Sequence, residues 1–89
     1  MAWRYRVRGN LDASYVQGKR IEIEGLAKKG QNVVMDLSLS ELIDSTGIGI
    51  LIFLHKRLAI ADRRLLVVGL KGQPLKLFSN LQLIPVLCQ

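Results

Sequence analysis

The sequence predicts a single α/β domain, residues 1–89, with a mostly parallel or mixed sheet of about four strands and helices packed on it. Short runs typical of strands alternate along the chain with longer helical patterns. Residues 33–37 are almost entirely apolar, as expected for a strand that is covered on both faces. The 89 residues, of which 49% are hydrophobic, suffice for one small core.

The first strand is predicted at residues 3–9, where large apolar residues alternate with three arginines. The apolar residues would face the core, and the arginines would face water or a partner. Asp12 then caps the next segment. Residues 13–29 fit a helix, with Val16 and Ile23 on one face, although residues 20–24 alternate like a strand. We favour the helix, because two parallel strands need a crossover connection between them.

A long helix is predicted to begin near Asp44 and to run to about Asp62 or Arg63. Apolar residues recur along this helix at i, i+3 and i+4 spacing, which indicates that one face of the helix packs on the sheet. That face comprises Ile48, Leu51, Ile52, Leu58 and Ala59, with His55 as a packed residue at its edge. Ile50, Phe53 and Leu54 lie towards the other side, so they indicate either a wider core stripe or a docking surface.

The last third of the chain predicts three further elements. Residues 65–68 read as an internal strand, and residues 75–81 as a short amphipathic helix that follows Pro74. Residues 84–87 are predicted to form a final strand. It would lie at an edge of the sheet, where Pro85 is tolerated.

Composition and charge exclude several classes of function. The net charge of +6 comes from basic residues spread in short pairs; only Arg4, Arg6 and Arg8 share a face, without an aromatic-rich nucleic-acid motif. A solvated basic surface and no nucleic-acid partner are therefore expected. The apolar runs are too short for membrane insertion and the start lacks a signal-type run, which predicts a cytoplasmic protein. The lone Cys88 and lone His55 predict neither a disulfide nor a metal site.

Residues 43–49, Ile-Asp-Ser-Thr-Gly-Ile-Gly, are the most informative stretch. Asp44, Ser45 and Thr46 are residue types that cap a helix N-terminus, because their side-chain oxygens accept hydrogen bonds from unpaired backbone N–H groups. Gly47 and Gly49 lack side chains, so another backbone can approach closely there. The stretch predicts a rigid helix end that presents hydroxyl groups.

No catalytic set accompanies this stretch. Ser45 is not part of a Gly-x-Ser-x-Gly elbow, and His55 lies about 15 Å away along the same helix at the α-helical rise. The glycines form neither a dinucleotide-binding fingerprint nor a P-loop. We therefore expect a protein that is not an enzyme and that uses no cofactor.

The stretch at residues 43–49 resembles the signature of the STAS family, the anti-sigma factor antagonists and their relatives, with Ile48 where Leu is usual. Gly-Asn-Leu-Asp at residues 9–12 resembles the motif that follows the preceding strand in the family. Residues 65–70 and 74–78 resemble its next strand and helix. Relatives usually add a longer N-terminal strand and a C-terminal helix. The present chain predicts a minimal STAS-like fold, which could leave an apolar patch for a partner to cover.

The resemblance implies a phosphorylation switch in a partner-switching system. The matching phosphoacceptor is Ser45, modified by a serine kinase that is also the anti-sigma factor and reset by a phosphatase, and Thr46 matches the second hydroxyl residue. Binding of the unmodified protein to the kinase would free a sigma factor. By resemblance, the partner-binding residues are Asp12, Asp44, Thr46, Gly47, Ile48 and Ile50. The alternative for Ser45 is a plain, unmodified helix cap.

A second hypothesis also follows from the resemblance. The chain could be a STAS subunit that regulates the ATPase of a lipid-transporting ABC system, since such subunits are similarly short and carry one hydroxyl residue at the position of Ser45. The Asp-Ser-Thr-Gly sequence favours the antagonist, whereas the abrupt end after residues 80–85 favours the transporter subunit. The third hypothesis is a scaffold or secretion regulator that acts without any sigma factor.

Overall fold

The structure is a computed structural model that describes residues 1–88. Its sheet has three strands in the order β1 (Ala2–Arg6), β2 (Asn32–Asp36) and β3 (Leu65–Val68). Both strand pairs are parallel, and Arg4, Val34 and Leu66 lie side by side across the sheet. The predicted α/β domain with a parallel sheet is confirmed, with one strand fewer than the sequence indicates.

The helices are α1 (Ala13–Gly25), α2 (Ser45–Ile60), α3 (Gly72–Asn80) and α4 (Ile84–Leu87). A short 3-10 helix at Leu26–Lys28 continues α1, so the predicted helix over residues 13–29 is confirmed except for this tighter last turn. α2 ends slightly earlier than predicted. Asp62 adopts a left-handed φ of 58°, and the Arg63 N–H donates to the Leu58 carbonyl oxygen at 2.7 Å, which closes the helix end.

The helices cover one face of the sheet. Because the strands advance in a single direction, right-handed crossovers place α1 and α2 on the same side. On that side Val33, Met35 and Val67 are at most 2% exposed. Phe78 of α3 and Leu87 of α4 belong to the same buried cluster, so these helices join the same layer.

α2 buries a wider stripe than its assigned face predicts. Ile50 and Leu54 are 4% and 0% exposed and belong to the core, because α1 packs along the flank of α2. Phe53 and His55 are half-buried, and Ala59, which was expected to face the sheet, is exposed. The wider core is therefore the correct alternative for Ile50 and Leu54.

The predicted final strand is wrong, because residues 84–87 form α4. Gln82 takes a left-handed φ of 56° after α3, and the chain turns directly into a new helix. Pro85 lies in the first turn of α4, where a missing N–H costs no hydrogen bond. Leu87, 1% exposed, anchors α4 to the core. Proline excludes a central strand but is equally compatible with a helix start.

β1 is also shorter than predicted, ending at Arg6 instead of near Gly9. The chain stays close to β2 for one more residue, since the Val7 N–H donates to the Asp36 carbonyl oxygen at 3.0 Å. Within residues 1–88, no helix combines the length and hydropathy that a membrane crossing requires.

Candidate functional site

The candidate site lies at the N-terminus of α2, at the carboxyl ends of the parallel strands. Asp44 is the N-cap residue in extended conformation, with φ of −112°, and Ser45 is the first helical residue. Ser45 is exposed, and its hydroxyl has no hydrogen-bond partner within residues 1–88. The structure thus presents the predicted phosphoacceptor residue to solvent on a rigid helix end.

The carboxylate of Asp44 serves two helices at once. Oδ1 accepts a hydrogen bond from the Gly47 N–H at 2.9 Å, in the first turn of α2. Oδ2 accepts one from the Ala13 N–H at 3.0 Å, in the first turn of α1. These two bonds, the Gly47 bond foremost, lower the pKa of Asp44 because they favour its charged form.

Asp12 caps α1 in the same region. Its Oδ1 accepts a hydrogen bond from the Tyr15 N–H at 2.9 Å, as the sequence predicts for a capping residue. Leu11 forms an isolated parallel bridge with Ile43, which aligns the two segments that precede the helices. Asp12 and Asp44 therefore lie at adjacent helix ends that are held in register by backbone pairing.

Gly47 is the residue that permits this close approach. A Cβ at position 47 would overlap with the Leu11 carbonyl oxygen and come within 2.8 Å of the Ile43 side chain. The prediction that Gly47 admits another backbone agrees with this contact. Gly49 is different, because a Cβ there would meet nothing within 4 Å. It is exposed and leaves an open surface one turn beyond Ser45.

The remaining predicted site residues divide between surface and core. Thr46 is half-buried beside Ser45, whereas Gly47 is buried. Ile48 and Ile50 are 8% and 4% exposed and pack in the core, so the Ile50 side chain is not part of the surface around Ser45. These three buried residues pack beneath the site, whereas Asp12, Asp44 and Thr46 are half-buried and Ser45 is exposed.

Three site residues were not predicted from the sequence. Asn10 Oδ1 accepts hydrogen bonds from the Glu41 and Leu42 N–H groups at 3.0 and 3.1 Å. The Ser40 hydroxyl donates to the Gly9 carbonyl oxygen at 2.6 Å. Asn10 and Ser40 could have been predicted from their positions just after two strands, because polar loop residues gather at the carboxyl edge of a parallel sheet.

Gln73 of α3 is the third. Its amide side chain accepts from the Ile43 N–H at 2.9 Å and donates to the Ile43 carbonyl oxygen at 3.0 Å, as a neighbouring strand would. This pair of bonds ties α3 to the segment before Ser45. A contact between residues this far apart in sequence leaves no local signal.

The chemistry of the site is that of an exposed hydroxyl at a helix start, directly after the capping carboxylate Asp44. Leu42, 54% exposed, adds an apolar side chain just before the motif, and His55 lies further along α2, half-buried beside Ala59 and Val86. Within residues 1–88, no group of three or more His, Cys, Asp or Glu side chains is close enough together to hold a metal ion. The arrangement provides an exposed alcohol at the start of α2.

Comparisons with known proteins agree with this architecture. The structure is similar to that of a sulfate transporter family protein from Wolinella succinogenes, with a TM-score of 0.78 and 16% sequence identity over 97% of this chain and 70% of that one. Comparison with the curated proteins gave no match. The model of the STAS domain family matches residues 3–87, and the chain therefore belongs to the STAS domain family.

Proposed function

We propose that this chain is a non-enzymatic, protein-binding switch whose state is set by phosphorylation of Ser45. Membership of the STAS family supports a regulatory role through protein interaction. The observation that carries the proposal is the exposed Ser45 hydroxyl, held at the start of α2 next to the carboxylate of Asp44. A kinase can reach such a hydroxyl without unfolding the chain.

The electrostatics of the site support a switch in binding with little change in folding. Phosphorylation adds about −1.5 to −2 charge. At a helix N-terminus this charge is favourable by about 0.3–1 kcal/mol, so the fold should tolerate it. In a partner contact, the same charge must be desolvated beside the Asp44 carboxylate, which costs several kcal/mol without a cationic partner. About 1.4 kcal/mol corresponds to a tenfold change in affinity, so such a cost releases a partner.

The proposed partner is an anti-sigma factor that is also the serine kinase, which makes the chain an anti-sigma factor antagonist. A phosphatase would restore the unmodified form. This role requires a cytoplasmic location, where the kinase finds ATP. The proposed contact surface comprises Asp12, Asp44 and Thr46, with Leu42 and Gly49 added because both are exposed and lie within four residues of Ser45 in the sequence.

A transporter-associated role is the second candidate. The structure resembles that of a sulfate transporter family protein, and the likeness concerns the fold. In this candidate role, the surface around Ser45 binds the ATPase of a lipid-transporting ABC system. The two roles use the same surface and differ in the protein that occupies it.

Phosphorylation assays test the switch directly. The purified chain is incubated with labelled ATP and an anti-sigma factor kinase from the same organism, together with the variants Ser45→Ala and Ser14→Ala. Ser14 is a matched control, because it is an exposed serine in the first turn of α1. We expect labelling of the parent chain and Ser14→Ala, and none of Ser45→Ala.

Binding assays provide the second readout. We expect Ser45→Asp to bind the kinase at least about tenfold more weakly, a loss of about 1.4 kcal/mol, with an unchanged melting temperature. Label on another residue, or normal binding by Ser45→Asp, would contradict the switch. Co-purification of a membrane ATPase in place of the kinase would support the transporter role.

A further inference from the structure

The outer sheet face, which is the face turned away from the helices, carries a set of residues that the site around Ser45 does not use. It presents Arg4 and Arg6 from β1, Val34 and Asp36 from β2, and Leu66 and Val68 from β3. Within residues 1–88 no helix packs on this face. Parallel sheets are almost always covered on both faces, so an open one is unusual and indicates a missing layer.

The centre of the outer sheet face is apolar and recessed. Val34, Leu66 and Val68 are half-buried, and Val34 lies directly beside Leu66 in the strand register. At the end of the sheet near Ala2, an open depression of ≈ 250 Å³ borders Val34 and Leu66. These three half-buried side chains form an apolar surface across β2 and β3.

The β1 edge of this face is basic. Arg4 and Arg6 both donate to the same Asp36 oxygen, Oδ2, at 3.2 and 3.3 Å, although their side chains remain 60% and 50% exposed. Asp36 itself is 4% exposed. Its Oδ1 accepts from the Ser38 N–H at 2.8 Å, and this bond, with the two arginines, holds the pKa of Asp36 well below its usual range.

One carboxylate therefore serves two guanidinium groups, and a positive charge remains at the edge. Each guanidinium carries more N–H donors than its single bond to Asp36 uses. Planar, forked donors of this kind fit a carboxylate in bidentate geometry. The remaining donors of Arg4 and Arg6 are thus suited to carboxylates from outside the chain.

We propose that the outer sheet face binds an amphipathic helix of a partner protein. The apolar side of this helix lies on Val34, Leu66 and Val68, and a row of carboxylates along one edge pairs with Arg4 and Arg6. The dimensions agree: strands of this length span about 13–17 Å and three strands about 10 Å, whereas a helix is about 10–12 Å across. A single helix of about ten residues fills the face.

Charge favours such a partner over a second copy of the chain. Each chain carries a net charge of +6, and on the outer sheet face Arg4 and Arg6 outnumber Asp36, so two copies repel each other there. Among the strand residues on this face that the structure describes, Asp36 is the only one with a carboxylate, and it is already engaged by Arg4, Arg6 and the Ser38 N–H. An anionic membrane is disfavoured because insertion needs projecting apolar side chains, and those, such as Ile21 and Ile60, project from the helices.

The test uses a fluorescently labelled helical peptide of about 15 residues, with leucines along one side and glutamates along one edge. A second peptide with lysines in place of the glutamates is the charge control. We expect the acidic peptide to bind with a Kd below about 100 μM and the basic peptide at least tenfold more weakly. Leu66→Glu should weaken binding at least tenfold, whereas Ile21→Glu, which adds the same charge on the helix side, should not.

Methyl NMR of the unmodified chain keeps the test independent of any variant that fails to fold. The acidic peptide should shift the Val34, Leu66 and Val68 methyl signals. No binding, shifts confined to Ile21 and Ile60, self-association through the same methyl groups, or shifts caused only by phosphatidylglycerol vesicles would each overturn the proposal. Ser45 lies in the helix layer, so failure here leaves the proposed switch intact.

Discussion

Asp44 and Ala13 are 31 residues apart in sequence, yet Oδ2 of the Asp44 carboxylate accepts the Ala13 N–H at 3.0 Å. Oδ1 of the same side chain caps the helix that begins at Ser45. One carboxylate thus satisfies unpaired N–H groups of two helices, and it fixes their N-termini beside the proposed phosphoacceptor. The geometry of the site depends on this shared cap.

We expect Asp44→Ala to lower the melting temperature more than removal of an ordinary surface carboxylate, because α1 and α2 each lose a hydrogen-bond acceptor. Glu41→Ala is the matched control, since Glu41 is an exposed acidic residue in the loop just before the motif. Thermal unfolding followed by circular dichroism measures the difference. Equal melting temperatures for both variants would contradict the shared cap.

The lowered pKa of Asp44 predicts a dependence on pH. Because the folded-state pKa lies below the unfolded one, the charged side chain stabilises the protein above the unfolded-state pKa of about 3.9. This contribution is lost as the pH falls through the folded-state pKa. The stability gap between the parent chain and Asp44→Asn should therefore be largest near neutral pH and shrink in acid. A gap that stays constant down to the acid transition would disprove this linkage.

Gly47→Ala should destabilise the fold, because its methyl group has no space beside the Leu11 carbonyl oxygen. Overpacking of this kind costs about 1–3 kcal/mol, and backbone yields less readily than a side chain, so a value at the upper end is expected. Chemical denaturation measures the change. If Gly47→Ala unfolds at the same denaturant concentration as the parent chain, the close approach is not obligatory.

Gly49→Ala should have the opposite effect on stability, since nothing lies within 4 Å of the new methyl group. Alanine is favoured over glycine within a helix by about 1 kcal/mol, which raises the melting temperature of a domain of this size by about 4–8 °C. Gly18→Ala in α1 is matched, because position 18 is also exposed and open. Only Gly49→Ala should also weaken binding to the kinase.

Pull-down of the kinase with both alanine variants separates the two effects. Equal binding by Gly18→Ala and Gly49→Ala would remove Gly49 from the contact surface. A loss of stability in Gly49→Ala would instead show that the surface beyond Ser45 is less open than the structure indicates.

The contrast between the two glycines shows what local sequence can and cannot reveal. Both lie just past the cap and both predict close backbone approach. Only Gly47 has a neighbour, because the parallel bridge between Leu11 and Ile43 brings a carbonyl oxygen over it. Likewise, the short apolar run at residues 84–87 is compatible with either a strand or a helix. The helix is formed because it brings Leu87 into contact with the core.

Sequence by itself determined the α/β alternation, the cap at Asp44 and the position of Ser45 at the helix start, because these depend on periodicity and on interactions within a few residues. Only the tertiary structure decided which residues meet across the sheet edge. The double use of Asp44, the bonds of Gln73 to Ile43 and the open outer sheet face all join segments about thirty residues apart or more. Local patterns carry no information on such pairs, since the packing of the whole chain sets their distance.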